Sequence, residues 1–189
     1  MKDIKMVVFD CDGVMFDTAQ ANRAFYDGIL THFGKAPMTE AQFNYVHMHT
    51  VKEALSHLFG GWENMDEVMA YKDTIDYTTL IPYMTMEPGL KELLRKLRPR
   101  KKTAVATNRM NTMPMVMKEH ELEDLFDMVV MASHVENPKP APDMLHKISD
   151  HFHLSPENGV FIGDSILDGM AARAAGMVFI AYKSPDLEA

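Results

Sequence analysis

The chain has 189 residues, enough for one substantial core or for a core with a modest insertion. Its 47% hydrophobic and 24% charged residues suit a globular protein, and no apolar run reaches the length of a membrane span, so no membrane partner is expected. A formal net charge of −8 argues against nucleic acid as the main partner. The one basic cluster, Arg95, Lys96, Arg98, Arg100, Lys101 and Lys102, falls at the end of a predicted helix, where cations complement the dipole. Cys11 is the single cysteine, so no internal disulfide forms, which suits a reducing cytoplasm. The chain enters its first strand within a few residues of Met1, leaving no room for a signal peptide. A cytoplasmic monomer is expected.

Val7-Val8-Phe9 reads as a short apolar strand that stops at Asp10-Cys11-Asp12-Gly13. Side chains alternate across a strand, which sends Asp10 and Asp12 the same way and Cys11 toward the core as a packed thiol. Two carboxylates about 4 Å apart at an effective dielectric of about 20 repel by about 4 kcal/mol. A cation, a shared proton or both must offset that. A solvated acidic turn is the plain alternative. A calcium loop is excluded, because Val14-Met15-Phe16 stands where alternating oxygen ligands are needed.

Residues 17–83 hold no convincing strand and read as helices over 18–33, 40–48, 51–59 and 65–80, with Asp17 or Thr18 capping the first. Pro82 and Pro88-Gly89 punctuate the end of this block. An all-helical stretch of this size is too large for an ordinary crossover. It reads as a small inserted cap domain over the carboxyl edge of a sheet, placed to exclude water and select substrates.

Four further apolar runs, 103–107, 128–132, 159–163 and 177–182, read as strands of a parallel sheet covered on both faces. Helical patterns at 88–97, 112–120, 142–153 and 166–174 separate them. The order predicts an α/β fold: a doubly wound, Rossmann-like parallel sheet from residues 1–16 and 84–189, with the helical cap at 17–83.

Polar groups stand at the ends of the later strands, where such a fold brings them to one crevice. Thr107-Asn108-Arg109 offers a hydroxyl and backbone N–H groups suited to a phosphate oxygen, although Thr and Asn are also common turn formers. In Asn137-Pro138-Lys139-Pro140-Ala141-Pro142-Asp143, flanking prolines fix the backbone around Lys139 and reduce the entropy lost in positioning it. In Gly163-Asp164-Ser165-Ile166-Leu167-Asp168, Asp164 sits at a strand end and Asp168 one helical turn on. A helix cap by Asp164 or Ser165 accounts for one of these residues but not for the second acid. Asp10, Asp12, Asp164 and Asp168 around one crevice require a hard divalent cation, and Mg²⁺ is the best fit.

These motifs, in this order, resemble the phosphatase branch of the haloacid dehalogenase-like superfamily, in the phosphoglycolate phosphatase and β-phosphoglucomutase-like subgroup. The resemblance rests on Asp10-Cys11-Asp12-Gly13-Val14 with Asp17-Thr18, on Thr107-Asn108, on Lys139-Pro140, and on Gly163-Asp164-Ser165 with Asp168. It implies that Asp10 is a nucleophile forming an aspartyl-phosphate and that Asp12 is the general acid and base. It also implies that Lys139, Thr107 and the Asn108 backbone hold the phosphoryl oxygens. Mg²⁺ would be bound by the Asp10 carboxylate, the Asp12 carbonyl and Asp164, with Asp168 acting through water or on Lys139. Subgroup members often carry a glycine-containing loop in the cap, and here the corresponding stretch is Tyr45-Val46-His47-Met48-His49-Thr50. His47, His49 and Arg23 are therefore candidate substrate contacts, with a solvated helix junction as the alternative. The resemblance thus implies a phosphomonoesterase acting on a small phosphorylated metabolite. A sugar phosphomutase and a catalytically silent binding domain are the alternatives.

Overall fold

Short runs of Val, Ile, Phe and Met become strands here and assemble into one parallel sheet, whose central strand finds apolar cover on both faces. The computed structural model describes residues 3–47 and 49–184. In chain order, β1 (Met6–Phe9) and β2 (Phe16–Asp17) precede the helices α1 (Ala19–His32), α2 (Glu40–His47), α3 (Val51–Leu58) and α4 (Met65–Thr74) and a 3-10 turn, Tyr77–Tyr83. Then follow β3 (Thr85–Met86), α5 (Leu90–Leu97), β4 (Lys102–Thr107), α6 (Met113–Glu119), β5 (Met128–Met131) and α7 (Asp143–Phe152). β6 (Gly159–Gly163), α8 (Ile166–Ala175) and β7 (Val178–Ala181) complete the order. Among the described residues no helix is long and apolar enough to cross a membrane.

The chain divides into two compact units: residues up to Asp17 together with those from Thr85 onward, and Thr18–Met84. In the first, the α/β unit, five parallel strands run in the order β5-β4-β1-β6-β7. All four residues of the central β1 are buried. Met6 and Val8 pack on one face with Met144, Leu145, Ile148, Ala171 and Ala172 of α7 and α8. Phe9, of the opposite alternation, meets Phe126 edge to face at 5.9 Å. Phe9 stands opposite Val105 of β4 and Ile162 of β6, so strand order reverses on either side of β1. Residues just past the ends of β1, β4 and β6 therefore share one crevice. β2 and β3 form a short antiparallel ribbon, Phe16 opposite Met86 and Asp17 opposite Thr85.

The expectation of cover on both faces fails at β7. It is an edge strand, and Val178 and Ile180 are exposed. α5 begins two residues later than expected, because Gly89 precedes it in the left-handed region, at φ +80°.

The helical unit closes its own core with Phe25, Ile29 and Leu30 of α1 against Ala54, Leu55 and Leu58 of α3, and with Phe59 and Val68. A capping box starts α3: the Thr50 hydroxyl accepts from Glu53 N–H at 3.3 Å, and the Glu53 carboxylate accepts from Thr50 N–H at 3.0 Å. Thr18 occupies the N-cap position of α1 without a side-chain capping bond. The helix expected over 65–80 is broken instead. Ile75 is extended, and the Asp76 carboxylate accepts from Thr78 N–H at 2.9 Å, starting the 3-10 turn rather than continuing α4.

Candidate active site

Asp10 is the first residue past β1, and its N–H donates to the Ile162 carbonyl at 2.9 Å, which continues the sheet by one bond. Its carboxylate is buried and accepts from Lys139 Nζ at 2.7 Å. The same ammonium donates to Asp168 at 2.6 Å, so one buried cation lies between two buried acids. Burial pushes the Asp10 carboxyl up to about 7, Lys139 opposing this and Asp168 and Asp12 adding to it. Burial alone would lower the Lys139 ammonium, but Asp10 and Asp168 outweigh it and the net shift is upward.

Lys139 is positioned by more than its prolines. Asn108 Nδ2 donates to the Lys139 carbonyl at 3.0 Å, and Asn108 Oδ1 accepts from Lys139 N–H at 3.1 Å. One side-chain amide thereby satisfies both backbone groups of Lys139 and ties the loop to the end of β4. Thr107, buried as the last residue of β4, accepts from Arg109 N–H through its hydroxyl at 3.2 Å.

On the β6 side, Ser165 caps α8 in a capping box with Asp168. Asp168 Oδ2 accepts from Ser165 Oγ at 2.6 Å and from Ser165 N–H at 3.1 Å, while its Oδ1 takes the lysine. The cap and the buried acid are one residue doing two tasks. Asp164 is half-buried, and burial, followed by Asp168, pushes it up to about 6. Carboxylate oxygens of Asp10, Asp164 and Asp168 lie within 4.8 Å of one another. Gly13, at φ +76°, makes room for this cluster: a Cβ there would fall 1.9 Å from Asp164 Oδ2. Crowded acids, hard oxygen donors and two upward-shifted carboxyls fit a divalent cation.

Asp12 differs from the expectation of four carboxylates around one cation. Its carboxylate is held by Arg109, Nε donating to Oδ2 at 2.8 Å and Nη2 to Oδ1 at 2.6 Å. The repulsion between Asp10 and Asp12 is thus offset by a guanidinium whose role went unread in the sequence. Its only sequence signal was a cation directly after the Thr-Asn turn. Cys11 is fully buried and its thiol is pushed well up by burial, consistent with packing.

Arg23 and His49 belong to the helical unit, where each has local partners. Arg23 pairs with Glu40 at 2.7 Å and lies 4.3 Å over the Phe43 ring. His49 stacks on Tyr45 at 3.8 Å, with Nδ1 2.7 Å from the Tyr45 carbonyl. The side chain of His47 lies outside the described residues.

A buried acid–lysine–acid group thus stands at the carboxyl ends of a parallel sheet in an α/β unit. The haloacid dehalogenase-like hydrolase model matches residues 7–182, and the chain belongs to that family. It is 31% identical over 183 residues to a phosphoglycolate phosphatase of Nitrosospira multiformis, covering 92% of this chain and 80% of the relative. It is 26% identical to a fructose-1-phosphate phosphatase of Escherichia coli, covering 90% and 92%. A crystal structure of a HAD-superfamily hydrolase, subfamily IA, variant 1, from Geobacter sulfurreducens superposes with a TM-score of 0.90 at 41% identity. That match covers 97% of this chain and 89% of that one.

Proposed function

We propose that this chain is a magnesium-dependent phosphomonoesterase of small phosphorylated metabolites that works through an aspartyl-phosphate on Asp10. The observation that carries the reading is the Asp10–Lys139–Asp168 group beside Asp164, at the switch point of the sheet. The relatives' activities toward phosphoglycolate and fructose 1-phosphate support the substrate class.

In this reading a carboxylate oxygen of Asp10 attacks phosphorus, and the ester oxygen leaves with a proton supplied by Asp12. Lys139, the Thr107 hydroxyl and the Asn108 N–H hold the phosphoryl oxygens as charge moves onto them. Asp12 then takes a proton from the water that releases phosphate and frees Asp10. Mg²⁺ would be held by Asp10, Asp164 and the Asp12 carbonyl, where it would neutralise charge on the acids and the phosphoryl group. Asp168 has both oxygens engaged, so its task is to fix Lys139. The lone cysteine supports a cytoplasmic setting.

A panel of phosphorylated metabolites, assayed with and without Mg²⁺, tests this reading, with Asp10→Asn as the blank. Phosphate release that needs both Mg²⁺ and Asp10 is expected. Release that persists in Asp10→Asn removes the covalent step, and release indifferent to a chelator removes the metal.

A further inference from the structure

The chemistry above gives Arg109 no task, yet its backbone and its guanidinium are both held in place. Its N–H is held by the Thr107 hydroxyl, and its carbonyl accepts from Ala132 N–H at 3.1 Å. Nη1 donates to the Thr112 hydroxyl at 3.1 Å. With its root and one nitrogen fixed, the remaining edge of the guanidinium, Nε and Nη2, forks onto Asp12. The arginine side chain is 19% exposed and that of Asp12 40%, so the carboxylate is the more open member of the pair.

Both oxygens of Asp12 are therefore occupied. A carboxylate held this way cannot present an oxygen to a leaving group without giving up one of its bonds to the arginine. A planar guanidinium fork matches any carboxylate equally well. A substrate carboxylate can thus take the place of Asp12 on Arg109, keeping the cation paired while Asp12 is released. A leaving group without an anion offers no such replacement. Because Asp12 must then reach the ester oxygen, the incoming carboxylate has to lie only one or two carbons from that oxygen.

We propose that Arg109 is a specificity-determining residue: it restrains Asp12 at rest and exchanges it for a carboxylate carried close to the phosphoester of the substrate. The inference rests on the phosphatase reading. It assigns to the enzyme short phosphorylated hydroxy acids over phosphoesters with neutral leaving groups.

The test compares kcat/KM for 2-phosphoglycolate and for ethyl phosphate, which lacks the carboxylate, in the Mg²⁺-loaded full chain. Wild type is expected to prefer 2-phosphoglycolate. Arg109→Met is expected to lower kcat/KM for 2-phosphoglycolate by a factor about 10–100 greater than for ethyl phosphate, the value of a charge-assisted pair. Arg109→Lys, which keeps the charge without the fork, is expected to fall between, and it carries the comparison if the methionine variant does not fold. Equal losses on both esters, or a wild type with no preference, would overturn the inference while leaving the phosphatase reading intact. A wild type that releases phosphate from neither ester, nor from any other member of the panel, would overturn both.

Discussion

Replacing Lys139 with Met keeps most of the aliphatic stem and removes the charge that lies between Asp10 and Asp168. The ammonium makes contacts of 2.7 Å and 2.6 Å, and its side chain is 4% exposed, so water cannot replace it. Removing one partner of a buried ionic group costs about 3–5 kcal/mol. For a urea m-value of about 2 kcal/mol/M, the unfolding midpoint falls by about 2 M. The penalty depends on pH, and its sign follows from Asp10. With a folded pKa of about 7 against an ordinary 3.8, Asp10 contributes stability that is present below about pH 4 and lost as pH rises toward 7. Lys139 limits that loss by favouring the carboxylate. Without it the Asp10 value climbs further and the loss continues above pH 7. Urea unfolding of metal-free wild type and Lys139→Met at pH 8 and pH 5 should therefore show the larger difference at pH 8. A penalty under about 1 kcal/mol, or one equal at the two pH values, would refute the buried-triad reasoning.

Two further outcomes are expected. Gly13→Ala places a methyl 1.9 Å from Asp164 Oδ2 at φ +76°, costing about 1–2 kcal/mol of backbone strain and pushing that carboxylate aside. Calorimetric Mg²⁺ affinity should fall at least about tenfold, because hard-cation sites depend on ligand geometry, and an unchanged affinity would contradict Asp164 as a ligand. Burial pushes His120 below its ordinary 6.5; its ring lies 4.6 Å from Phe16, and its Nε2 is buried without a hydrogen-bond partner among the described residues. The neutral ring therefore contributes stability that is fully present above pH 6.5 and is lost as pH falls from there through the lower folded value, and an NMR titration midpoint at or above 6.5 would contradict this.

Much of the site could be read from the chain because a parallel sheet gathers its strand ends. Apolar runs ending in Asp10, Thr107 and Asp164 located the crevice, and the proline-framed Lys139 pointed into it. Contacts whose partners are far apart in sequence, or that depend on rotamer, were not legible. The Asn108 amide pairs with the Lys139 backbone across 31 residues, and Arg109 with Asp12 across 97. No local pattern encodes either. Asp168 was visible as an acid, but its double use as cap partner and lysine anchor needed the geometry around Ser165. In the fold, the strand run at 177–182 resembles the interior strands in composition, and only topology makes β7 an exposed edge. The break after α4 is marked by local bonds that compete with the helix, among them Thr78 N–H to the Asp76 carboxylate and the Thr79 hydroxyl to the Asp76 carbonyl.

The most direct test of the central claim is acid quenching during turnover of a hydrolysed phosphoester with Mg²⁺, followed by mass analysis of the peptide containing Asp10. The account predicts a hydroxylamine-labile phosphoryl group on Asp10 that forms and decays at rates matching turnover and is absent from Asp10→Asn. Full turnover with no label on Asp10 at any quench time, or label on another residue, would contradict it.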